Sequence, residues 1–323
     1  MTQEPIKFCQ EILKKVSRSF ALTIPLLDPE IREPVMIVYL QDRLLDSFED
    51  ELPGLERKRR KKLMDRVAAI FEPNQSQLPE AAREVQNWAR KFSRPSLQEL
   101  VAGTEMIWQA YNSLDQAVRE ISYQWLKEMN SGMQEYLDKE ITSFARLDEY
   151  CYYVAGTVGG FLTDLIMLRA PEETENSRIL QENFVDAGLF LQKVNITRDI
   201  KEDIESRSRI FWPLAELGIN EEELLDSDER ERALEALNRM IGSAASHVKP
   251  LLDYYQALPP SLEGYRKFFA INNALGLATL NKIRNNPAVF EADRPVRVSK
   301  LTLGRVLKSP EKRLYQLAEP YQN

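Results

Sequence analysis

Histidine and cysteine are nearly missing from this chain. A single histidine, His247, in 323 residues takes most zinc sites and Ser-His-Asp chemistry out of consideration. Two cysteines, Cys9 and Cys151, give neither a disulfide framework nor metal-ligand spacing, so reduced thiols in a cytoplasmic protein are the expectation. Glycine is scarce at 12 residues, and no Pro/Gly/Ser-rich linker or low-complexity segment divides the chain. Length alone, at roughly 150 residues per domain, suggests two domains. The absence of a linker favours one helical domain over residues 1–323 instead, long enough to bury a core and a cavity inside it. No signal peptide opens the chain and no apolar run of about 18 residues is apparent, so no membrane span is expected. Positive charge is also outweighed. The balance 43 − 50 gives −7 with a pI near 5.2, which argues against nucleic acid as a partner.

What is present reads as helix almost throughout, with no convincing strand. Helices are expected at about 5–16, 30–50, 55–71, 80–92, 96–118, 120–138, from 148 onward, 176–203, 228–256, 262–284 and from about 302, punctuated by Pro25, Pro29, Pro53-Gly54, Pro73-Asn74 and Pro95. The basic run Arg57-Lys-Arg-Arg-Lys-Lys62 has a plain reading as a solvated helix face. Its alternative is peripheral contact with anionic lipid headgroups, worth about 1 kcal/mol per basic residue. In Ala155-Gly-Thr-Val-Gly-Gly160 the glycines lie within a helical pattern, where each costs roughly 0.5–1 kcal/mol relative to alanine. Close helix packing or an opened wall beside a ligand would account for them.

The chemistry sits in a repeated pattern. Asp46, Glu49 and Asp50 stand at i, i+3 and i+4, and so do Asp199, Glu202 and Asp203, which on a helix is one face. Like charges on one face repel, by roughly 0.2–0.5 kcal/mol per exposed pair, and no cation follows four residues after Asp50 to relieve them. An arginine precedes each motif, Arg43 and Arg198. Two facing helices of this kind would hold hard divalent cations against an anionic substrate. Mg²⁺ prefers oxygen ligands and is bound through a few carboxylates plus substrate phosphates, so a diphosphate is the natural partner. Beyond the second motif, Glu205-Ser-Arg-Ser-Arg209 is a polar loop rich in phosphate-binding groups.

These motifs stand in a wider set: Ser17-Arg-Ser-Phe20, Tyr39 to Asp50, Gly132 to Lys139 with Thr142-Ser143, Tyr150 to Gly156, Leu189-Phe-Leu-Gln-Lys-Val-Asn-Ile-Thr-Arg-Asp199, Arg209-Ile-Phe-Trp-Pro213, and Phe268-Phe-Ala-Ile271 with Leu277 to Leu280. Together they resemble the squalene and phytoene synthase family over nearly the whole chain, and within it the squalene-forming branch. The resemblance implies an all-α isoprenoid synthase bundle with a central cavity. It implies head-to-head condensation of two farnesyl diphosphates through presqualene diphosphate to squalene, with Mg²⁺ for the ionisations and NADPH for the final reduction.

Carried onto this chain, the resemblance makes Asp46, Glu49, Asp50, Asp199, Glu202 and Asp203 the metal ligands. Arg18, Arg43, Arg198 and Arg209, with Ser17, Ser19 and Asn195, become diphosphate contacts. Tyr150 is the candidate base or cation guard, Tyr39 a second site tyrosine, and Phe269 a cation shield; Asn286 and Arg297 fall in the nicotinamide-cofactor region. Two departures stand out. Gln41 and Asp42 occupy positions where the family usually has apolar residues. The tail Ala318-Glu-Pro-Tyr-Gln-Asn323 is polar where eukaryotic relatives carry an apolar anchor, which points to a cytoplasmic or membrane-peripheral enzyme. Related enzymes that stop at presqualene diphosphate, hydroxysqualene, dehydrosqualene or phytoene are the alternatives. A non-catalytic relative that binds partners is the alternative of a different class, and it should have lost carboxylates that this chain keeps.

Overall fold

The computed structural model describes residues 3–171, 176–207 and 209–322, so Ser208 of the polar loop lies outside the described residues. Among the described residues the elements are helical, α, 3₁₀ or π, without a β-strand. Packing divides the chain into two compact units: residues 1–138 with 161–171, and residues 139–160 with 172–323.

In the first unit the organising element is the helix Pro29–Asp50. It starts with proline in its first turn, where a missing N–H costs nothing. It buries Ile31, Ile37, Leu40, Leu44, Leu45 and Phe48 completely, and Phe48 meets Phe92 edge-on at 5.2 Å. The helix ends at the turn containing Gly54, whose φ of 74° suits glycine. Helices Glu4–Val16, Arg57–Ile70 and Gln116–Tyr136 pack around it. The single helix expected over 96–118 is instead Pro95–Ala102 and Thr104–Asn112, with the next one starting at Gln116. The break falls at Gly103, where an added Cβ would lie 2.0 Å from the Phe8 ring. A side chain from another helix fills that space, which local periodicity cannot register.

In the second unit Ser177–Arg198 is central. It packs against Phe144–Cys151, the π-helical turn Tyr152–Gly156, Arg230–Ala245, Val248–Ala257 and Glu263–Ile283. Close packing explains two of its glycines. A Cβ on Gly159 would meet the Phe184 carbonyl oxygen at 2.4 Å, and one on Gly188 the Ala155 carbonyl oxygen at 2.3 Å. The expected helix over 228–256 is interrupted at His247, whose ring is bonded on both nitrogens to the central helix.

One expectation is corrected here. Phe144–Arg169 runs as 26 helical residues, long and apolar enough to cross a membrane. The glycines and tyrosines in its middle break the run of aliphatic residues by eye without lowering its hydropathy enough. Its two aspartates both have partners: Asp148 pairs with Lys193 and Asp164 accepts a 2.8 Å hydrogen bond from Trp125 Nε1.

Candidate functional site

In the first unit one heptad-and-a-half of helix carries most of the candidate residues. Asp46, Glu49 and Asp50 each offer a carboxylate oxygen within 4.8 Å of the others. Glu49 is 2% exposed, so its charge is held where water screens it least. Arg43 pairs with Asp46 and reaches Glu51 at 3.4 Å, and Arg94 pairs with Glu51 as well. Tyr39, one turn before Arg43, hydrogen-bonds Ser17 and packs against Phe20 with ring centroids 5.2 Å apart. Burial and the neighbouring Asp46 and Asp42 push its phenol up, while Ser17 and Arg43 oppose. Ser17 also accepts from the Phe20 backbone N–H at 3.1 Å. Arg18 and Ser19 are exposed in the same turn. Thus Ser17, Tyr39, Arg43 and the acidic triad form one continuous patch.

The two departures lie beneath this patch. Asp42 is half-buried, and burial together with the Asp46 carboxylate pushes its own carboxyl up to about 8. Gln41 is fully buried and its Oε1 accepts from Ser122 Oγ at 2.9 Å. Gln41 thus has a partner for its amide oxygen, whereas its Nε2 is buried without one among the described residues.

The second unit treats its motif differently. The central helix ends at Arg198, Asp199 takes a non-helical conformation (φ −98°, ψ 13°), and a short turn Ile200–Glu202 leads into the π-helical Asp203–Arg207. The uninterrupted helix expected over 176–203 is thus broken at the motif's first acid. Bonds of i+4 spacing persist on either side of the break, from the Asp199 N–H to the Asn195 carbonyl and from the Asp203 N–H to the Asp199 carbonyl, both 2.9 Å. Arg198 clamps Asp199 with both Nε (2.7 Å) and Nη2. Asp203 is 2% exposed and Glu202 is exposed, as is Asn195.

Tyr150 is buried beside this motif. Its ring stacks on Phe211 at 4.9 Å, and the Arg209 guanidinium lies 5.4 Å from the Tyr150 ring centre and 4.7 Å from that of Phe211. The Arg209 N–H donates to the Asp203 carbonyl at 3.2 Å, so Tyr150, Asp203, Arg209 and Phe211 are tied together. Phe269 sits apart from them in an aromatic cluster, stacked on Tyr254 at 5.2 Å and on Tyr255 at 5.9 Å. Asn286 has a local structural job: its amide donates to the Lys282 carbonyl and its side-chain oxygen accepts from the Ala288 N–H. The Arg297 carbonyl accepts from Lys282.

Sequence reasoning missed a buried polar chain in this unit. Lys193, 1% exposed, donates to Ser243 Oγ at 2.9 Å, meets His247 Nε2 at 2.8 Å and pairs with Asp148. His247 Nδ1 lies 2.7 Å from Asp186. Against an ammonium donor, the neutral ring with its proton on Nδ1 satisfies both contacts. A lysine within an apolar helical run, with the sole histidine 54 residues away, was the available signal.

The helical architecture, an acidic triad with arginine beside it and buried aromatic clusters define a class of protein, the all-α isoprenoid synthases. The squalene/phytoene synthase family matches residues 13–302, and the chain belongs to that family. It is 33% identical to squalene synthase LSS of Botryococcus braunii over 298 residues, covering 88% of this chain and 59% of the relative. Human squalene synthase is 30% identical over 297 residues, covering 90% of this chain and 67% of the relative. The chain thus spans about three fifths to two thirds of these relatives' length. The solved structure of TcSQS with a bound ligand superposes with a TM-score of 0.86 at 28% identity, covering 99% of this chain and 90% of that one.

Proposed function

We propose that this chain condenses two farnesyl diphosphates head to head to presqualene diphosphate and reduces that product to squalene. The observation that carries the proposal is the convergence of Asp46, Glu49 and Asp50 oxygens within 4.8 Å in a chain whose relatives are named squalene synthases. Three hard oxygen ligands, with Glu49 buried, fit Mg²⁺. Asp199, Glu202 and Asp203 would contribute further ligands. When bound, Mg²⁺ neutralises charge as it develops on the departing diphosphate.

The protein's own groups do the rest. Arg43, Arg198 and Arg209, with Arg18, Ser17, Ser19 and Asn195 as lesser contacts, hold phosphate oxygens, for which a planar guanidinium is suited. Breaking the C–O bond of one substrate leaves an allylic cation and inorganic diphosphate, and the second substrate's double bond attacks that cation. A proton must then be lost to close the cyclopropane of presqualene diphosphate. Tyr150 is placed in this reading at that proton, with Tyr39 as the tyrosine beside the first motif. The cation formed when the second diphosphate leaves needs a dry aromatic wall, because ring faces attract it and offer no lone pair to trap it. Phe269 with Tyr254 and Tyr255 provides such faces. NADPH, when bound, would supply the hydride that completes squalene, and Arg297 and Asn286 would be the residues that hold it. The protein is read as cytoplasmic, or peripheral at a membrane that receives the product.

Product analysis tests this reading. With farnesyl diphosphate, Mg²⁺ and NADPH the main product is squalene; without NADPH, presqualene diphosphate, its rearranged alcohols or dehydrosqualene accumulate. An identical mixture with and without NADPH would sink the squalene assignment and favour a relative that stops earlier.

A further inference from the structure

The basic run at the start of Arg57–Ile70 is not uniform. Arg57, Lys58, Arg59 and Lys62 are exposed, whereas Arg60 points inward at 9% exposure. Its Nη1 donates to the carbonyls of Phe48 (2.9 Å) and Glu49 (2.5 Å), and its Nη2 to that of Leu52 (2.6 Å). Phe48 and Glu49 belong to the last turn of Pro29–Asp50, and Leu52 lies just beyond it. That turn carries the acidic triad.

The last turn of a helix is its negative end, with carbonyls lacking partners. Here it also bears Glu49 and Asp50, and it contains no basic residue of its own. Every one of these charges disfavours the others. We infer that Arg60 is a positioning residue for the divalent-cation site. Its rigid fork, anchored on three main-chain carbonyls, brings a cation from the neighbouring helix to that end and fixes the backbone from which Glu49 and Asp50 project. Arginine suits this task where lysine does not, because one planar group reaches several acceptors at once. The inference rests on the metal reading of the triad given above.

Metal binding by the full-length chain, followed through the electron paramagnetic resonance of Mn²⁺ without substrate, provides the test. The second readout is the Mg²⁺ concentration giving half-maximal turnover, and circular dichroism reports the fold. Arg60→Lys should weaken Mn²⁺ binding and raise the Mg²⁺ requirement by about tenfold or more, the usual effect of removing a group that orients a metal ligand. Turnover should largely recover at saturating Mg²⁺. Lys58→Gln, an exposed change on the same helix, should leave both readouts unaltered. A folded Arg60→Lys that binds Mn²⁺ within twofold of the parent overturns the inference while leaving the metal reading intact. Absence of Mn²⁺ binding by the parent chain overturns both. If Arg60→Lys does not fold, Arg60→Gln takes its place, and loss of the fold in both variants overturns the positioning role in favour of a purely structural one.

Discussion

The two Asp-x-x-Glu-Asp motifs share a pattern and an arginine, yet they occupy different backbones. The first lies in the last turns of an unbroken 22-residue helix, where the i, i+3, i+4 spacing gathers three carboxylates. The second begins where its helix ends, and it continues through one turn into a π-helical segment. The arginines differ accordingly. Arg43 reaches forward three residues to Asp46, whereas Arg198 clamps the adjacent Asp199. A sequence pattern therefore specifies charge density reliably, but it specifies geometry only as long as the helix beneath it continues. The first motif has its three carboxylates converged on one another. The second is tied through Asp203 to Arg209, and so to the stacked rings of Tyr150 and Phe211.

Single changes can break this comparison. The largest effect is expected from Asp46→Asn and Asp199→Asn, each lowering Mg²⁺-supported turnover by about 10²–10³-fold or more, with circular dichroism unchanged. Near-normal activity in either variant would remove that motif from the site. If the first triad is preformed, Asp46→Asn should also weaken Mn²⁺ binding in the absence of substrate more than Asp199→Asn does.

Tyr150→Phe sharpens the second half of the comparison. It keeps the ring that stacks on Phe211 and removes the phenolic hydroxyl. Formation of presqualene diphosphate should fall by about 10²-fold or more with substrate binding retained. A normal rate of that step would make Tyr150 a packing residue.

The packing of the second unit's central helix can be probed separately. Gly159→Ala and Gly188→Ala put a methyl against main-chain carbonyl oxygens that cannot swing aside, so each should cost about 1–3 kcal/mol, read as a lower melting temperature. Gly304→Ala, where nothing lies within 4 Å, should be neutral or slightly stabilising.

The last test concerns pH. Asp42 ionises at about 8 in the folded chain and near 3.9 when unfolded. The folded state therefore holds an extra proton between those values, and stability of the metal-free protein should fall as pH rises from about 4 to 8. Asp42→Asn should flatten that part of the melting-temperature profile, and an unchanged slope would show that Asp42 ionises normally.

The sequence by itself determined the helical class, because apolar residues at helical spacing over nearly every segment admit no sheet. It also determined the first acidic site, since three residues within one helix turn need no partner to converge. Arg43 was legible as the arginine one turn before that motif, whereas Ser17 and Tyr39 were singled out by the family resemblance and not by local spacing. Tertiary structure decided what local spacing cannot express. The helix over 96–118 breaks because the Phe8 ring claims the space at Gly103. The helix over 228–256 breaks where His247 turns toward Asp186 and Lys193. Tyr150 meets Arg209 and Phe211 from 59 and 61 residues away in sequence, and Arg60 leaves an otherwise solvated basic face to close the end of the acidic helix. In each case the deciding contact joins residues on separate elements, so its energy exists only once those elements have packed.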